Sequence, residues 1–483
     1  MLEINSMVSP PTLLFLGLVL RTHQVKSVAA NNSSGSSHDS LDSECDPPSV
    51  VERINLDHLS LLATNSHPEG LPCTVSPLFE AGSFNVVWFL EFSNGDQWVA
   101  RVPQAPWSPM LERRLRSDML GYELIARRTS IPIPKIFAFS PGIDNVLGHP
   151  FTLVSRAKGV QLSKLWFDRD WFTEEHRQTL FHSLAENMSQ LKEITFPKVG
   201  SLGLDDDDDG ILSVGPILPS WQDLLDQPNV DYDSWVLPGP FVSVHAFLST
   251  IIAQRTACAP TPDDQIELTL LRMFALSLPD LSLDGPPFVL SMPDLNLSNI
   301  FITEDGRITC FIDWDGIEAV PIQGGYARYP SWITKDWDPW AYDYPLPSGT
   351  SWNILSLTYF LIRKTARSMA DQPPARPREQ LKEDSPSMLQ KHREEYLVAY
   401  KSVDPTGSHY TRNSHVFEAI RKACTDWIRM GGILRQLSCY AFGTSDNSNF
   451  VSWAWILRNL PKGVWSRDYI GAAEKFASNK RCL

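Results

Sequence analysis

Three polar side chains lie close together in the stretch LSMPDLNLSNIFITEDGRITCFIDWD, which runs from Leu290 to Asp315. Asp294 and Asn299 bracket a short segment, and Asp313 follows them. Carboxylate and amide oxygens suit Mg²⁺, which takes one or two protein ligands and completes its shell with water and phosphates. A further carboxylate could accept the proton of a substrate hydroxyl. The spacing therefore predicts phosphoryl transfer, with Asp294 as base and Asn299 and Asp313 as metal ligands.

Short strands should position these residues. Phe288–Leu290 and Ile300–Ile302 are apolar runs typical of buried strands. Pro293 lies between the two runs and prevents a helix there. Asp294 is therefore predicted to lie on a loop between two strands.

A hairpin is predicted immediately after this loop. Glu304–Gly306 is a turn signal, so Ile300–Thr303 and Arg307–Ile312 are expected to pair. Such pairing would bring Asn299 and Asp313 close together. Each of the polar residues, taken alone, could also be an ordinary turn or cap residue.

The pattern D-x-x-x-x-N followed by I-D-W-D resembles the catalytic segment of the aminoglycoside phosphotransferase and choline kinase-like family, whose fold is that of protein kinases. The resemblance implies that Asp294 is the catalytic base and that Asn299 and Asp313 bind Mg²⁺. The family usually has a histidine two residues before this aspartate, whereas this chain has Met292. Because that histidine supports the loop, Met292 bears on loop rigidity more than on chemistry.

A kinase-like fold also needs a glycine-bearing hairpin over the phosphates. The run from Glu80 to Pro103 predicts strand, turn at Asn94-Gly95, and strand. Its G-x-F-N and W-V-A-R segments are similar to those of the fungal branch of the family. A lone glycine in a strand is otherwise more often a bend. The predicted phosphate loop consists of Gly82, Ser83, Phe84 and Asn85.

Arg101 ends the W-V-A-R segment, where most kinases place a lysine that binds the nucleotide phosphates. A guanidinium can serve phosphates by paired hydrogen bonds. Ser117-Asp118 aligns with the Ser-Glu that usually opens the partner helix in this branch. Because Arg is longer than Lys and Asp shorter than Glu, we predict an Arg101–Asp118 ion pair, with Glu123 as the alternative. Asp118 could otherwise be a helix-start residue stabilised by the helix dipole.

The likeness covers most of Val50 to about Thr350 and includes the segment Gly148–Gly159, which is similar to the strand and hinge of the adenine pocket. By this likeness, backbone groups around Ser155 and Ala157 would hydrogen-bond the base. The implied fold is α+β and bilobal, a protein kinase-like fold. A small antiparallel-sheet N-lobe would span residues 47–158, and a larger, mainly helical C-lobe with catalytic loop, metal site and helical additions would span 159–483.

Length and composition agree with this fold, because 483 residues that are 43% hydrophobic can bury a large core. Helical patterns are predicted over 351–367, 387–400 and 415–433, the last with a break at Gly431-Gly432. Seven scattered cysteines without a C-x-x-C pair indicate neither a zinc site nor a disulfide framework.

The net charge of −14 argues against general affinity for nucleic acid. An acidic groove could attract a small, cationic hydroxyl compound as phosphate acceptor. Aromatic residues beyond the metal segment could face such a cation, although core packing is the alternative role. These aromatic residues are Trp332, Trp337, Trp340, Tyr342 and Tyr344.

Residues 1–46 are predicted to be disordered, with a short apolar run at 12–20. This run is too short to span a bilayer. It could be a signal-peptide core, but Glu3 precedes it and no Lys or Arg does. A cytoplasmic location is therefore expected, with secretion as the alternative.

Two functions are compatible with these features. The first is an ATP- and Mg²⁺-dependent phosphotransferase that moves the γ-phosphate to a hydroxyl of a small molecule. The second is a catalytically weak or inactive relative that binds nucleotide or a partner as a scaffold. Met292, Arg101, Asp118 and the single-glycine loop favour the second. No oligomeric state is predicted.

Overall fold

A computed structural model describes residues 49–204, 212–227, 230, 236–257, 262–338, 342 and 384–442. The predicted disordered segment 1–46 and the predicted helix 351–367 lie outside the described residues. The helices are α1 Val50–Arg53, α2 Leu56–Ser66, α3 Pro109–Arg128, α4 Leu162–Leu165, α5 Glu174–Met188, α6 Trp221–Asp226, α7 Val244–Ala257, α8 Pro262–Ser277, α9 Pro386–Val403, α10 Gly407–Arg412, α11 Ser414–Thr425 and α12 Trp427–Phe442. None of the described helices is long and apolar enough to cross a lipid bilayer.

The strands are short and antiparallel. They are β1 Cys73–Ala81, β2 Asn85–Phe92, β3 Gln97–Pro103, β4 Ile136–Ser140, β5 Phe151–Ser155, β6 Val160–Gln161, β7 Thr195–Phe196, β8 Gly200–Leu204, β9 Leu212–Val214, β10 Phe288–Leu290, β11 Ile300–Ile302, β12 Ile308–Phe311 and β13 Glu318–Val320. They form two five-stranded sheets, in the orders β1-β2-β3-β5-β4 and β7-β10-β13-β8-β9, and one three-stranded sheet, β12-β11-β6.

The sheet β1-β2-β3-β5-β4 forms the N-lobe, and its two faces differ. Trp88, Trp98 and Ala100 are buried on the face that packs against α1 and α2. Residues alternate between faces along a strand, so Val87 and Arg101, which lie opposite each other in β2 and β3, occupy the other face. Arg101 therefore points away from the N-lobe core.

Helix α3 lies between β3 and β4 in the chain and begins earlier than predicted. Ser108 caps it by accepting a hydrogen bond from the Leu111 backbone N–H at 3.1 Å, and Pro109 occupies the first turn. Asp118 consequently lies in the middle of α3. The prediction that Ser117-Asp118 opens this helix is wrong, since a serine cap with a following proline starts it upstream.

The C-lobe is mainly helical and has one large core. Helices α5 and α9 pack against each other, and Trp166, Phe181 and Tyr396 lie fully buried between them and their neighbours. Cys310 is buried in β12, as expected of a small apolar residue.

The predicted α+β, bilobal kinase-like architecture is confirmed by this arrangement. Both predicted hairpins form, β2–β3 and β11–β12. The boundaries 47–158 and 159–483 stay predictions. The predicted helix break at Gly431-Gly432 is wrong, because α12 runs through both glycines. The break between two helices lies at Asp426 instead, where the Asp426 carboxylate accepts a hydrogen bond from the Arg429 N–H at 3.2 Å.

Candidate active site

The loop between β10 and β11 presents Asp294 at the surface of the C-lobe, where its side chain is exposed. Asn296 Nδ2 donates to Asp294 Oδ2 at 2.6 Å, and Asn299 Nδ2 donates to the same oxygen at 3.0 Å. Asn299 Nδ2 also donates to the Asp294 carbonyl at 3.0 Å. Two amides thus fix the orientation of the Asp294 carboxylate by holding one of its oxygens.

Asp313 follows β12 and faces the same region. The Ile312 N–H donates to the Asn299 carbonyl at 2.9 Å, so the hairpin brings Asn299 and Asp313 together. Asp313 has a φ of 62°, a left-handed conformation that aspartate tolerates better than most residues. Burial and the neighbouring Asp315 raise the pKa of Asp313 to about 6 against the opposing effect of Arg101. Strained backbone and a shifted pKa are both typical of functional sites.

Arg101 reaches from β3 to two carboxylates of the C-lobe. Its Nη2 donates to Asp313 Oδ1 at 2.8 Å and to Asp315 Oδ2 at 2.8 Å, and Nη1 donates to Asp315 Oδ1 at 3.1 Å. Although burial opposes the charge, Asp315 and Asp313 raise the pKa of the Arg101 guanidinium. Arg101 therefore stays charged at the boundary between the lobes.

The predicted Arg101–Asp118 pair is wrong. Asp118 lies 3.4 Å from Arg114 Nε, accepts a 3.0 Å hydrogen bond from Trp221 Nε1 and also accepts from the Gly316 backbone. Burial raises the pKa of Asp118 to about 7, opposed by Arg114. The start of α3 at Pro109 places Asp118 in this buried cluster.

The alternative partner, Glu123, does not pair with Arg101 either. It forms an exposed ion pair with Arg127 at 2.9 Å, one turn along α3. The acid that meets Arg101 therefore comes from the loop after β12 and not from α3.

The predicted phosphate loop joins β1 to β2. The Gly82 N–H donates to the Asn85 carbonyl at 2.9 Å, and Gln104 Nε2 donates to the Gly82 carbonyl at 2.7 Å. The Asn85 side chain crosses to the C-lobe, where Nδ2 donates to Asp315 Oδ2 at 2.8 Å. The Phe84 ring packs near Trp221. Contact of this loop, Ser83 included, with a nucleotide stays a prediction.

The hinge follows β5. Ser155 is paired with Trp98, so its side chain lies on the face opposite Arg101. Its Oγ accepts from the Lys135 N–H at 2.9 Å. Ser155 and Ala157 line an open cavity of about 500 Å³ on that face. The predicted contact of their backbone groups with an adenine base stays a prediction.

Sequence reasoning missed the residues that support the predicted catalytic loop, which joins β10 to β11 and carries Asp294. Arg328 Nη2 donates to the carbonyls of Met292 and Pro293, the latter at 2.8 Å, and Nη1 donates to Glu418 at 3.2 Å. The Ser331 N–H donates to the Leu295 carbonyl at 3.0 Å. Met292 is buried, and these bonds supply the support that a histidine would otherwise give.

The donor set suits Mg²⁺. Asn299 turns its amide nitrogen to Asp294, so its Oδ1 lies on the opposite side of the amide, and Asp313 adds a carboxylate. Among the described residues, no group of three or more His, Cys, Asp or Glu side chains could enclose a metal ion. An ion held by Asn299 and Asp313 would thus take its remaining ligands from water and phosphate, as Mg²⁺ does.

The aromatic residues after the metal segment mostly pack. Trp332 and Trp337 are buried in the C-lobe core, and the Tyr342 hydroxyl donates to the Asp384 carbonyl at 2.7 Å. Trp340 and Tyr344 lie outside the described residues. Core packing is therefore the role of the two tryptophans that are described.

The known relatives of this chain match it over short stretches. A subtelomeric hrmA-associated cluster protein of Aspergillus fumigatus is 27% identical over 121 residues, 25% of this chain and 23% of that protein. A second relative is a protein of Meyerozyma guilliermondii with the name "Altered inheritance of mitochondria protein 9, mitochondrial". It is 27% identical over 137 residues, 28% of this chain and 22% of that protein. The chain thus matches less than a quarter of the length of these relatives.

A solved structure of a type I macrolide 2'-phosphotransferase aligns with 79% of this chain and 96% of its own, at 13% identity and a TM-score of 0.39. The sequence profile of the phosphotransferase enzyme family matches residues 77–319, half of the chain. The matched range includes the site residues from Gly82 to Asp315. The chain therefore belongs to the phosphotransferase enzyme family.

Proposed function

We propose that this protein is an ATP- and Mg²⁺-dependent phosphotransferase that transfers the γ-phosphate to a hydroxyl of a small molecule. One observation carries the proposal, the convergence of Asp294, Asn299 and Asp313 at one end of the β11–β12 hairpin, facing Arg101 from the other lobe. Family membership supports it. The arrangement supplies a base, two metal ligands and a phosphate-binding cation.

Each residue has a distinct part in the proposed reaction. The two amides that hold Asp294 Oδ2 leave Oδ1 to accept the proton of the acceptor hydroxyl, which would orient the attacking oxygen. Arg101 would stabilise negative charge on the nucleotide phosphates. A bound Mg²⁺ would neutralise charge on the transferred group. Asn299 and Asp313 would hold that ion close to Asp294.

The acceptor is proposed only as a small hydroxyl compound. Because Trp332 and Trp337 are buried, they do not support the aromatic wall that would favour a cationic acceptor. A cytoplasmic location also stays a proposal, since the yeast relative that is named mitochondrial matches only 28% of this chain.

A second candidate is nucleotide binding without turnover. The Arg101–Asp313 hydrogen bond favours it, because the guanidinium occupies an oxygen of the carboxylate that the metal would need. In this case the protein would bind nucleotide and act through a partner.

Titration with ATP, with and without Mg²⁺, followed by a turnover assay over a panel of hydroxyl compounds, separates the two candidates. For the enzyme, we expect that Asp294→Asn lowers kcat by about 10³-fold or more while ATP binding stays within about threefold, because the base acts only in the chemical step. The matched control is Asp305→Asn, which changes an exposed turn aspartate of the same hairpin and should retain turnover.

Binding without turnover by the wild-type protein over the whole panel would favour the second candidate. No binding of ATP in either condition would contradict both candidates.

A further inference from the structure

We infer that Asp315, rather than an acid of helix α3, positions Arg101 against the phosphates of a bound nucleotide. The inference rests on the proposed function. Arg101 forms a fork with Asp315, with Nη1 to Oδ1 at 3.1 Å and Nη2 to Oδ2 at 2.8 Å. Its contact with Asp313 is a single hydrogen bond. A two-bond fork fixes both the position and the plane of a guanidinium.

The two carboxylates that contact Arg101 have different fates when a metal binds. Asp313 is the proposed metal ligand, and a divalent cation on its carboxylate would repel the guanidinium. Asp315 would then be the remaining carboxylate partner among those that contact Arg101 here. A half-buried arginine without a partner is costly. Asp315 therefore keeps Arg101 in place during the metal-dependent reaction.

The loop that carries Asp315 is held at two points. Asn85 Nδ2 donates to Asp315 Oδ2 at 2.8 Å. The next residue, Gly316, donates its N–H to Asp118 on α3, which also belongs to the predicted N-lobe. The acid on α3 thus anchors the backbone of this loop, while the acid on the loop binds the cation.

This arrangement makes Asp315 a link between the lobes. Asn85 and Arg101 belong to β2 and β3, whereas Asp315 follows β12, the second strand of the β11–β12 hairpin. Arg101 is therefore oriented only when the phosphate loop and the metal segment lie together. Asn85 accordingly acts on Asp315, in addition to any contact with nucleotide.

A double-mutant cycle tests this role. Arg101→Ala, Asp315→Asn and the double variant are compared by calorimetric titration with ADP, without metal and with Mg²⁺, and by kcat and KM. Positioning predicts that Asp315→Asn weakens ADP binding by about 10- to 100-fold, because the charged fork is lost. In the Arg101→Ala background, the same change should alter ADP binding by less than about twofold.

In the metal-free titration, the sign of the change in ADP affinity distinguishes a positioning role of Asp315 from mere proximity to the nucleotide. A carboxylate that merely lies near the nucleotide repels its phosphates, so Asp315→Asn would tighten ADP binding in that case. Tighter binding, or equal losses with and without Arg101, would overturn the inference.

Glu123→Gln is the matched control, because Glu123 is an acid of helix α3 that pairs with Arg127 at the surface and not with Arg101. The effect of Glu123→Gln on ADP binding should be the same with and without Arg101. If Asp315→Asn does not fold, Asn85→Ser replaces it, with an expected loss of about threefold to tenfold that disappears in the Arg101→Ala background. Equal Asn85→Ser losses in both backgrounds would overturn the inference.

Failure of the two proposals can be distinguished. Wild-type protein that binds neither ADP nor ATP with Mg²⁺ overturns the proposed function and this inference with it. Wild-type protein that binds nucleotide, with losses that are independent of Arg101, overturns this inference alone.

Discussion

The β11–β12 hairpin and helix α3 each carry an acid that sequence analysis assigned to the site, but only the hairpin directs its acid to Arg101. Asp313 follows the hairpin and lies 2.8 Å from the guanidinium, whereas Asp118 lies in a buried cluster with Arg114 and Trp221. The hairpin depends on a turn and two short strands that are adjacent in the sequence. The position of Asp118 depends on where a long helix begins and on a partner from a distant segment.

This difference shows that local geometry and interlobe contacts are specified differently. A turn signal determines which residues of a hairpin face each other. A cation from one lobe takes whichever carboxylate of the other lobe lies nearest in the folded state. The predictions below test each side of this comparison.

The largest expected effect concerns Asp313. Asp313→Asn should lower Mg²⁺-dependent turnover by about 10³-fold or more, since it removes a charged metal ligand and one partner of Arg101. Steady-state assays over a range of Mg²⁺ concentrations measure this loss. Turnover near the wild-type value with Asp313→Asn would show that the hairpin does not build the metal site.

Arg328 should matter for both stability and catalysis. Arg328→Met removes the bonds to the Met292 and Pro293 carbonyls and leaves buried Glu418 with one arginine fewer, at a cost of about 3–5 kcal/mol in urea unfolding. At a temperature where the variant is folded, kcat should fall at least tenfold, because the catalytic loop loses its support.

Arg177→Met is the control for Arg328→Met. Arg177 forms a largely buried ion pair with Glu395 between α5 and α9, away from the loop that carries Asp294. It should lower stability comparably without the loss in kcat. Equal effects of the two variants on kcat would mean that Arg328 does not position the loop.

Glu418 and Asp118 are two buried acids that should give opposite pH dependences of stability. Although burial opposes it, Arg421 and Arg328 lower the pKa of Glu418 from 4.5 to about 2. Its ionised form stabilises the fold above pH 4.5, and this contribution is lost as the pH falls toward about 2. Burial raises the pKa of Asp118 from 3.8 to about 7, so its contribution is present below pH 3.8 and lost as the pH rises through about 7.

Unfolding free energies measured from pH 2 to 8 test both signs. Glu418→Gln should flatten the acid limb, and Asp118→Asn should flatten the limb between pH 4 and 7, each by on the order of 1 kcal/mol per pH unit at most. If either variant leaves the slope of unfolding free energy against pH unchanged, the pKa shift assigned to that acid is contradicted.

The smallest effects concern two glycines. Gly316 has a φ of 92°, and an added Cβ would lie 3.2 Å from Arg114 Nη2, so Gly316→Ala should cost about 1–2 kcal/mol of stability. Gly82 lies outside the left-handed region, and an added Cβ would meet the Asn85 carbonyl at 3.5 Å, an ordinary contact. Gly82→Ala should therefore keep ATP affinity within about threefold. A larger loss of ATP affinity with Gly82→Ala would mean that Gly82 approaches the phosphates closely.

Features with a local signal were predicted well. The turns at Asn94-Gly95 and Glu304–Gly306 each join two apolar runs, and both hairpins form. The loop bearing Asp294 follows from Pro293, which lies between two apolar runs. These features depend on residues that are neighbours in the sequence.

Features that depend on distant segments could not be predicted. Arg328 reaches the catalytic loop from a segment of short turns that carries no motif. The start of α3 did have a local signal in Ser108 and Pro109, but the family resemblance placed the helix start at Ser117. Asp315 did have a signal, since it is the second acid of I-D-W-D, but only the first acid had an assigned role.

The most direct measurement of the central claim is Mn²⁺ binding in the presence of ATP, followed by electron paramagnetic resonance, with Mn²⁺ in place of Mg²⁺. If Asn299 and Asp313 hold the metal and Asp294 does not, Asp313→Asn and Asn299→Ala should each weaken nucleotide-dependent Mn²⁺ binding by about tenfold or more. Asp294→Asn should leave that binding within about threefold. Mn²⁺ binding that is insensitive to both metal-site changes would contradict the proposed site.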